Sequence, residues 1–140
     1  MKASELRIGN YVMIKNELLP NYKNQPLIVT SIQQRNDRDF PNSKSVISCY
    51  VDKHNSVSQF DEFIRPIQLT EEWLLKFGFV KDLENNIYLN VNSNAFLCWQ
   101  NNRIELLDDE NNKCISFCNY VNQLQNLYFA LTGEELTIKK

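Results

Sequence analysis

Residues Asn119 to Leu136 (NYVNQLQNLYFALTGEEL) constrain the fold more than any other stretch, because they read as one amphipathic helix that needs a surface to lie on. An α-helix advances about 100° per residue. On that wheel Tyr120, Val121, Leu124, Leu127, Tyr128 and Leu131 fall within about 120°, the width of a core-facing stripe. Asn119, Asn122, Gln123, Gln125 and Asn126 take the opposite side. Gly133 suits the position just past the last turn, since without a Cβ it enters the left-handed region cheaply. Phe129 breaks the pattern and points away from the stripe, beside Asn122, Gln125 and Asn126. Burying a Phe side chain is worth about 1.5–3 kcal/mol, so a cover is expected. Two covers fit: the chain's own tail, with Leu136 and Ile138 folding back as a short strand, or a partner protein touching Phe129, Asn122, Gln125 and Asn126.

The surface for that helix is written just upstream. Turn signals at Asn85-Asn86, Asn92-Ser93-Asn94, Asn101-Asn102 and Asp108 to Asn112 separate FGFVKDL, IYLNV, AFLCWQ, RIELL and KCISFC. Short β-prone runs divided by turns at regular intervals predict an antiparallel meander. Before it lies a short helix. Thr70 is placed to cap it, Glu71 and Glu72 sit in the first turn, and Trp73, Leu74 and Phe77 share a face. Gly78 ends it, and Phe79 is positioned to pack back on Leu74 in a Schellman motif.

The first half reads as β. Leu6–Ile14, around Gly9-Asn10, then Leu27–Gln33, Val46–Val51 and Phe60–Ile67 are four candidate strands. Gly9 marks a bulge or a close backbone approach. Four short strands in so few residues suit a small barrel or a strongly bent sheet, and an SH3-like barrel is the leading expectation. The whole is α+β: a small β-barrel-like module over 1–68, then a helix, an antiparallel β-meander and a C-terminal amphipathic helix over 69–140. No flexible linker separates the halves, so they are expected to share an interface.

Composition excludes several function classes. The net charge of −2 and the absence of a Lys/Arg run argue against general nucleic-acid binding, which depends on neutralising phosphates. The opening Met1-Lys2-Ala3-Ser4-Glu5 lacks the apolar core of a signal peptide, and no stretch approaches the ~20 apolar residues that cross a bilayer. A soluble protein of the cytoplasm, free of membrane, is expected, with Cys49, Cys98, Cys114 and Cys118 as reduced thiols.

Recognised chemistry is absent. A structural zinc site carries two paired C-x₂₋₄-C elements; here Cys114 and Cys118 form one C-x₃-C pair and the other cysteines are scattered, so each reads as a small core residue. Any nucleophile–histidine pair must use His54, which sits in the turn Asp52-Lys53-His54-Asn55-Ser56. The acidic pairs Asp61-Glu62, Glu71-Glu72 and Glu134-Glu135, and the run Asp108 to Glu110, adjoin turns or element ends where charge is solvated. Three glycines, at positions 9, 78 and 133, build no phosphate-cradling loop. No catalytic residue, metal or cofactor is therefore expected. A family-specific pocket stays open: Tyr11 and Trp99 with Arg7 and Arg103 could stack a base and hold a phosphate. Core packing is the competing role for those aromatics.

LRIGNYV (Leu6–Val12), PIQLTEEWLLKFGF (Pro66–Phe79) and NQLQNLYFALTGEEL (Asn122–Leu136) together resemble a group of short proteins, without an assigned activity, encoded by Bacteroidetes, their phages and their integrated mobile elements. The likeness touches both ends and the centre in order. Asn122 departs from it, standing where the pattern Y-V-H-Q-L-Q-N-L-Y has a histidine. The resemblance implies a phage or mobile-element context in a bacterial cytoplasm and implies no reaction. The expectation is a non-enzymatic binding or adaptor protein acting on a host or phage protein. Alternatives are a small-ligand binder that sequesters a nucleotide signal of host defence, and a virion-associated structural protein. An apolar helix face or a bare strand edge is compatible with a homo-oligomer.

Overall fold

The computed structural model describes residues 1–15, 17, 19–34, 44–83, 87–89, 96–100, 103–107 and 114–139. The protein is α+β and divides into two compact units, Met1–Ile67 and Gln68–Lys140.

The first unit is a five-stranded antiparallel sheet of β1 (Tyr11–Ile14), β2 (Leu27–Gln33), β3 (Val46–Asp52), β4 (Asn55–Phe60) and β5 (Ile64–Arg65), in the order β4-β3-β2-β1-β5. Its alternate residues point inward, as the period of two in a strand requires. Val12 and Ile14, Leu27 and Val29, Ile47 and Cys49 join Leu6 and Ile64 in one buried cluster. The sheet stays open: β4 and β5 are its edges and do not pair, so the closed barrel expected from sequence is not formed. One physical reason is that β5 holds only two residues before Pro66, which has no N–H to donate to a second ladder.

Two strand boundaries differ from expectation. The stretch Phe60–Ile67 is not one strand; a 3₁₀ turn over Asp61–Phe63 splits it and leaves β5 as a remnant. The expected strand Leu6–Ile14 begins only at Tyr11, because Arg7 to Asn10 form a turn. Asn10 N–H donates to Arg7 O at 3.1 Å, and Gly9 N–H donates to Val29 O at 2.8 Å. Gly9 takes φ +92°, as the third residue of a type II turn requires. Asn10, fully buried, accepts Arg7 N–H on Oδ1 at 2.8 Å.

In the second unit α1 (Glu71–Lys76) precedes β6 (Val80–Asp82), β7 (Ile87–Leu89), β8 (Phe96–Gln100), β9 (Arg103–Leu107) and β10 (Cys114–Cys118), and α2 (Val121–Thr132) follows. The strands lie in the order β10-β9-β8-β7-β6, an up-and-down antiparallel meander. The register shifts between Cys114 and Ser116, so simple alternation does not carry from Cys114 to Cys118. α1 ends in a Schellman motif: Gly78 N–H donates to Leu75 O at 2.9 Å and Phe79 N–H to Leu74 O at 3.0 Å, with Gly78 at φ +83°. At its other end the Thr70 side chain makes no cap bond, contrary to expectation; its carbonyl receives the N–H of Trp73 and Leu74. Leu69, Trp73, Leu74, Phe77, Phe79, Val121, Leu124, Tyr128 and Leu136 are buried here. Among the described residues no helix is long and apolar enough to cross a membrane.

Candidate functional site

α2 is held at both ends. The Gln123 side chain reaches back to accept the N–H of Asn119 at 2.9 Å and of Tyr120 at 3.2 Å, satisfying donors that a helix start leaves free. Leu69 N–H donates to Asn119 O, and Gln68 bridges Tyr120, so the start of the unit is tied to the start of the helix. At the far end Gly133 takes φ +73° and donates to Phe129 O at 2.8 Å. Thr132 Oγ1 donates back to Tyr128 O at 2.9 Å and accepts Glu134 N–H at 3.1 Å, turning the chain.

The tail then folds back, but as coil and not as the expected strand. Leu136 is buried, and its carbonyl accepts Gln125 Nε2 at 3.0 Å. Lys139 N–H donates to Lys76 O at 2.8 Å at the end of α1. The rings of Phe79 and Tyr128 meet edge to face at 6.5 Å. The tail thus links the end of α2 to the end of α1.

This arrangement corrects the expected faces of α2. Val121, Leu124 and Tyr128 are buried as the stripe predicts, but Leu131 is 54% exposed. Asn122 and Gln125, placed outward by the wheel, are 1% and 0% exposed. For Gln125 the reason lies in the tail: Leu136 is buried and offers it a carbonyl, so the amide enters the interior with its hydrogen bond made. Asn122 and Gln125 therefore present no surface to a partner. Asn126 is half-buried. Phe129 keeps 37% of its surface exposed and Ala130 is exposed with it, so the last turn of α2 is apolar and open while its first turns bury amides.

Of the four residues proposed to contact a nucleotide, Arg7 and Tyr11 belong to the first unit and Trp99 and Arg103 to the second. Arg7 lies in the turn before β1, and Tyr11, on β1 opposite Ile28, is 9% exposed, so its ring is core. Trp99 pairs with Ile104 and Arg103 with Gln100 in the β8–β9 ladder of the other unit; the side chains of Trp99 and Arg103 lie outside the described residues.

The first unit does carry a surface hollow of about 550 Å³, lined by Lys15, Glu17, Glu62 and Phe63. Lys15 N–H donates to Phe63 O at 2.7 Å, which draws the segment after β1 against the 3₁₀ turn. Glu62 is engaged by Lys44 Nζ at 2.6 Å, both side chains nearly half exposed, an ion pair of small energetic worth.

The remaining polar groups take structural places. His54 is exposed at the β3–β4 turn, and its N–H and that of Asn55 donate to Asp52 Oδ1 at 2.9 and 3.1 Å. The His54 N–H first, then the side-chain amide of Asn55, hold the Asp52 carboxyl below its ordinary pKa. Glu72 is lowered likewise by Lys76, 2.7 Å away. Burial pushes the thiols of Cys49 and Cys118 up to about 11. The run Asp108 to Glu110 and the thiols of Cys98 and Cys114 lie outside the described residues. Among the described residues no group of three or more His, Cys, Asp or Glu is placed to hold a metal ion. One buried carboxyl was not legible: Glu105, at the centre of RIELL, is 6% exposed. Compared with protein-family models, curated proteins and solved structures, the chain matches none.

Proposed function

We propose that this chain is a non-enzymatic binding protein that docks on another protein through the last turn of α2. The observation that carries this reading is the inversion of that helix: it buries Asn122 and Gln125 while leaving Phe129 and Leu131 at 37% and 54% exposure. Exposed large side chains at a helix end are the kind of surface that partners cover. The resemblance noted above supports a host or phage protein of a bacterial cytoplasm as the partner. We further read the first unit as an SH3-like arrangement. Its order β4-β3-β2-β1-β5, with a 3₁₀ turn between the last two strands, supports that reading, although the sheet is open. The test is affinity capture from host lysate with the unaltered chain and with a Phe129→Ser, Leu131→Ser double variant. A protein retained by the first and lost by the second is expected. Equal retention by both, or no retained protein under mild salt, overturns the reading.

A second reading, binding of a small ligand such as a nucleotide signal, draws support from the hollow beside Phe63. Its volume of about 550 Å³ falls in the range of ligand clefts, and its wall sets the Lys15 cation beside two carboxylates, Glu17 and Glu62, the second engaged by Lys44. A ligand at 100 times its Kd stabilises by about 2.7 kcal/mol, so thermal-shift screening with linear and cyclic nucleotides detects it. No shift across the panel ends this reading.

A further inference from the structure

An unpaired sheet edge invites another strand, and proteins guard their edges with short length, charge, proline or irregular register. Three of the edges here carry such guards. β5 has two residues and runs into Pro66. β6 has three residues, among them Lys81 and Asp82. β10 is interrupted by its register shift between Cys114 and Ser116. β4 carries none. Its six residues, NSVSQF, include no charge and no proline. Its ladder with β3 runs unbroken from Tyr50↔Ser56 to Val46↔Phe60. Among the described residues no strand pairs with its outer edge, and Ser56, Ser58 and Phe60 are exposed. Nor is the edge loose: Asn55 Nδ2 donates to both carboxylate oxygens of Asp52, at 3.1 and 2.9 Å, and clamps the hairpin that presents it. A pre-ordered edge loses little entropy on pairing.

The polar face of the sheet indicates what the edge accepts. Ser31 pairs with Ser48, and Ser48 with Ser58, so a row of serines crosses β2, β3 and β4 and stops at the edge. The Ser48 and Ser58 hydroxyls are 2.8 Å apart. A foreign peptide is usually selected by side-chain pockets or charges flanking the edge. Along its length this edge offers uncharged hydroxyls and amides, and Lys44, 5.9 Å over the Phe60 ring at its end, is already paired with Glu62, so the strand meets its own kind without like-charge repulsion. We propose that β4 is the seam of a homodimer, pairing antiparallel with β4 of a second copy about a two-fold axis at Ser58. An axis perpendicular to the sheet keeps each face continuous only when residues of the same face meet. With Ser58 opposite Ser58 of the partner subunit, the serine row runs on into the second copy. Val57 then faces Gln59 of the partner subunit, and Ser56 faces Phe60 of the partner subunit. This seam involves the first unit alone and is independent of the docking proposed for α2.

Sedimentation of the full chain over a range of concentrations tests it, together with two variants. The unaltered chain is expected to pass from chain mass to twice that mass as concentration rises. The Ser56→Lys, Ser58→Lys double variant sets like charges across the seam and is expected to weaken self-association by about tenfold or more. Opposed residues of an antiparallel pair have Cα atoms about 4.5–5.5 Å apart, within disulfide range. A Ser58→Cys variant is therefore expected to form a cross-linked dimer under mild oxidation, mapped by peptide analysis to position 58, while Lys2→Cys, exposed but off the seam, does not. Circular dichroism checks that each variant keeps its fold. A chain that stays monomeric at every concentration overturns the proposal. So does a dimer indifferent to the lysines, or one that links no better through Ser58→Cys than through Lys2→Cys.

Discussion

In the first unit the five-stranded sheet is ordered β4-β3-β2-β1-β5, so β1 lies beside a strand drawn from some fifty residues away, Met13 opposite Arg65 and Ile14 opposite Ile64. In the second unit the five strands lie in chain order, and each pairs only with its neighbours in sequence. The helices differ in the same sense. α1 is closed by bonds among Leu74, Leu75, Gly78 and Phe79, all local. The faces of α2 are decided by a tail eleven residues beyond Gln125. Locally closed elements can be read from sequence spacing. Elements closed from a distance cannot, because the partner that decides them is not in the window being read.

The comparison predicts where substitutions cost most. Phe77, with no exposed surface, anchors the second unit, and Phe77→Ala is expected to destabilise it by about 3–5 kcal/mol. Ile47→Ala in the first unit is expected to cost about 2–5 kcal/mol. Denaturant unfolding measures both, and a loss under 1 kcal/mol in either would remove that residue from the core. The contribution of the tail comes next. Gln125→Leu keeps the volume but leaves the buried Leu136 carbonyl without its donor, a cost of about 1–3 kcal/mol. Hydrogen exchange at Lys139, whose N–H donates to Lys76 O, is expected to quicken with it. Unchanged protection there would mean that the tail is held without the amide.

The two helix-terminating glycines separate backbone strain from contact. Gly133→Ala, at φ +73° with nothing within 4 Å of the new methyl, is expected to cost about 1–2 kcal/mol from conformation alone. Gly78→Ala meets the same strain and also sets the methyl 2.8 Å from Lys139 Cγ, so its cost is expected to be larger. Equal costs would show that Lys139 yields freely. Smaller again, Leu131→Ala at a 54% exposed position is expected to stay within about 0.5 kcal/mol. A core-sized loss there would restore the apolar stripe read from the sequence.

The last effect is a pH dependence that is flat at neutrality and steepens at the extremes, where each unit contributes one group to each limb. The Cys49 and Cys118 thiols ionise near 9.0 when unfolded and near 11 when folded, so stability is unaffected below pH 9 and declines as pH rises from 9 to 11. Cys49→Ala is expected to remove the first unit's share of that slope. Asp52 and Glu72 are held low in the folded chain, so their contribution is complete above their ordinary values of 3.8 and 4.5 and is lost as pH falls through the depressed ones. Denaturant midpoints measured across pH give both limbs. An alkaline slope unchanged by Cys49→Ala would assign it to other groups.

How far the candidate site was legible follows the same division. Phe129 stands out in sequence because it interrupts a stripe, and it is half-exposed in the structure. The wheel places Leu131 in the core because it assumes that a helix buries its apolar side. Strand β4 is faint in the sequence, since NSVSQF sends only Val57 toward the apolar cluster and its alternation is weak. Glu105 was hidden for the opposite reason, a charged residue in a strand being read as facing water.

By itself the sequence determined the α+β class, the short helix with its Schellman end, the strands that pair in chain order, and the helix that stops at Gly133. Each of these rests on residues within a few positions of one another. Hydrogen-bond geometry at a helix end and the two-residue period of a strand act at that range. Only the tertiary structure decided that β1 joins β5, that the sheet stays open, and that Gln125 goes inside while Leu131 stays out. Gln125 is buried with its bond made because the Leu136 carbonyl, eleven residues on, comes to meet it, and the free energy that settles such a choice belongs to the pair and to neither residue alone.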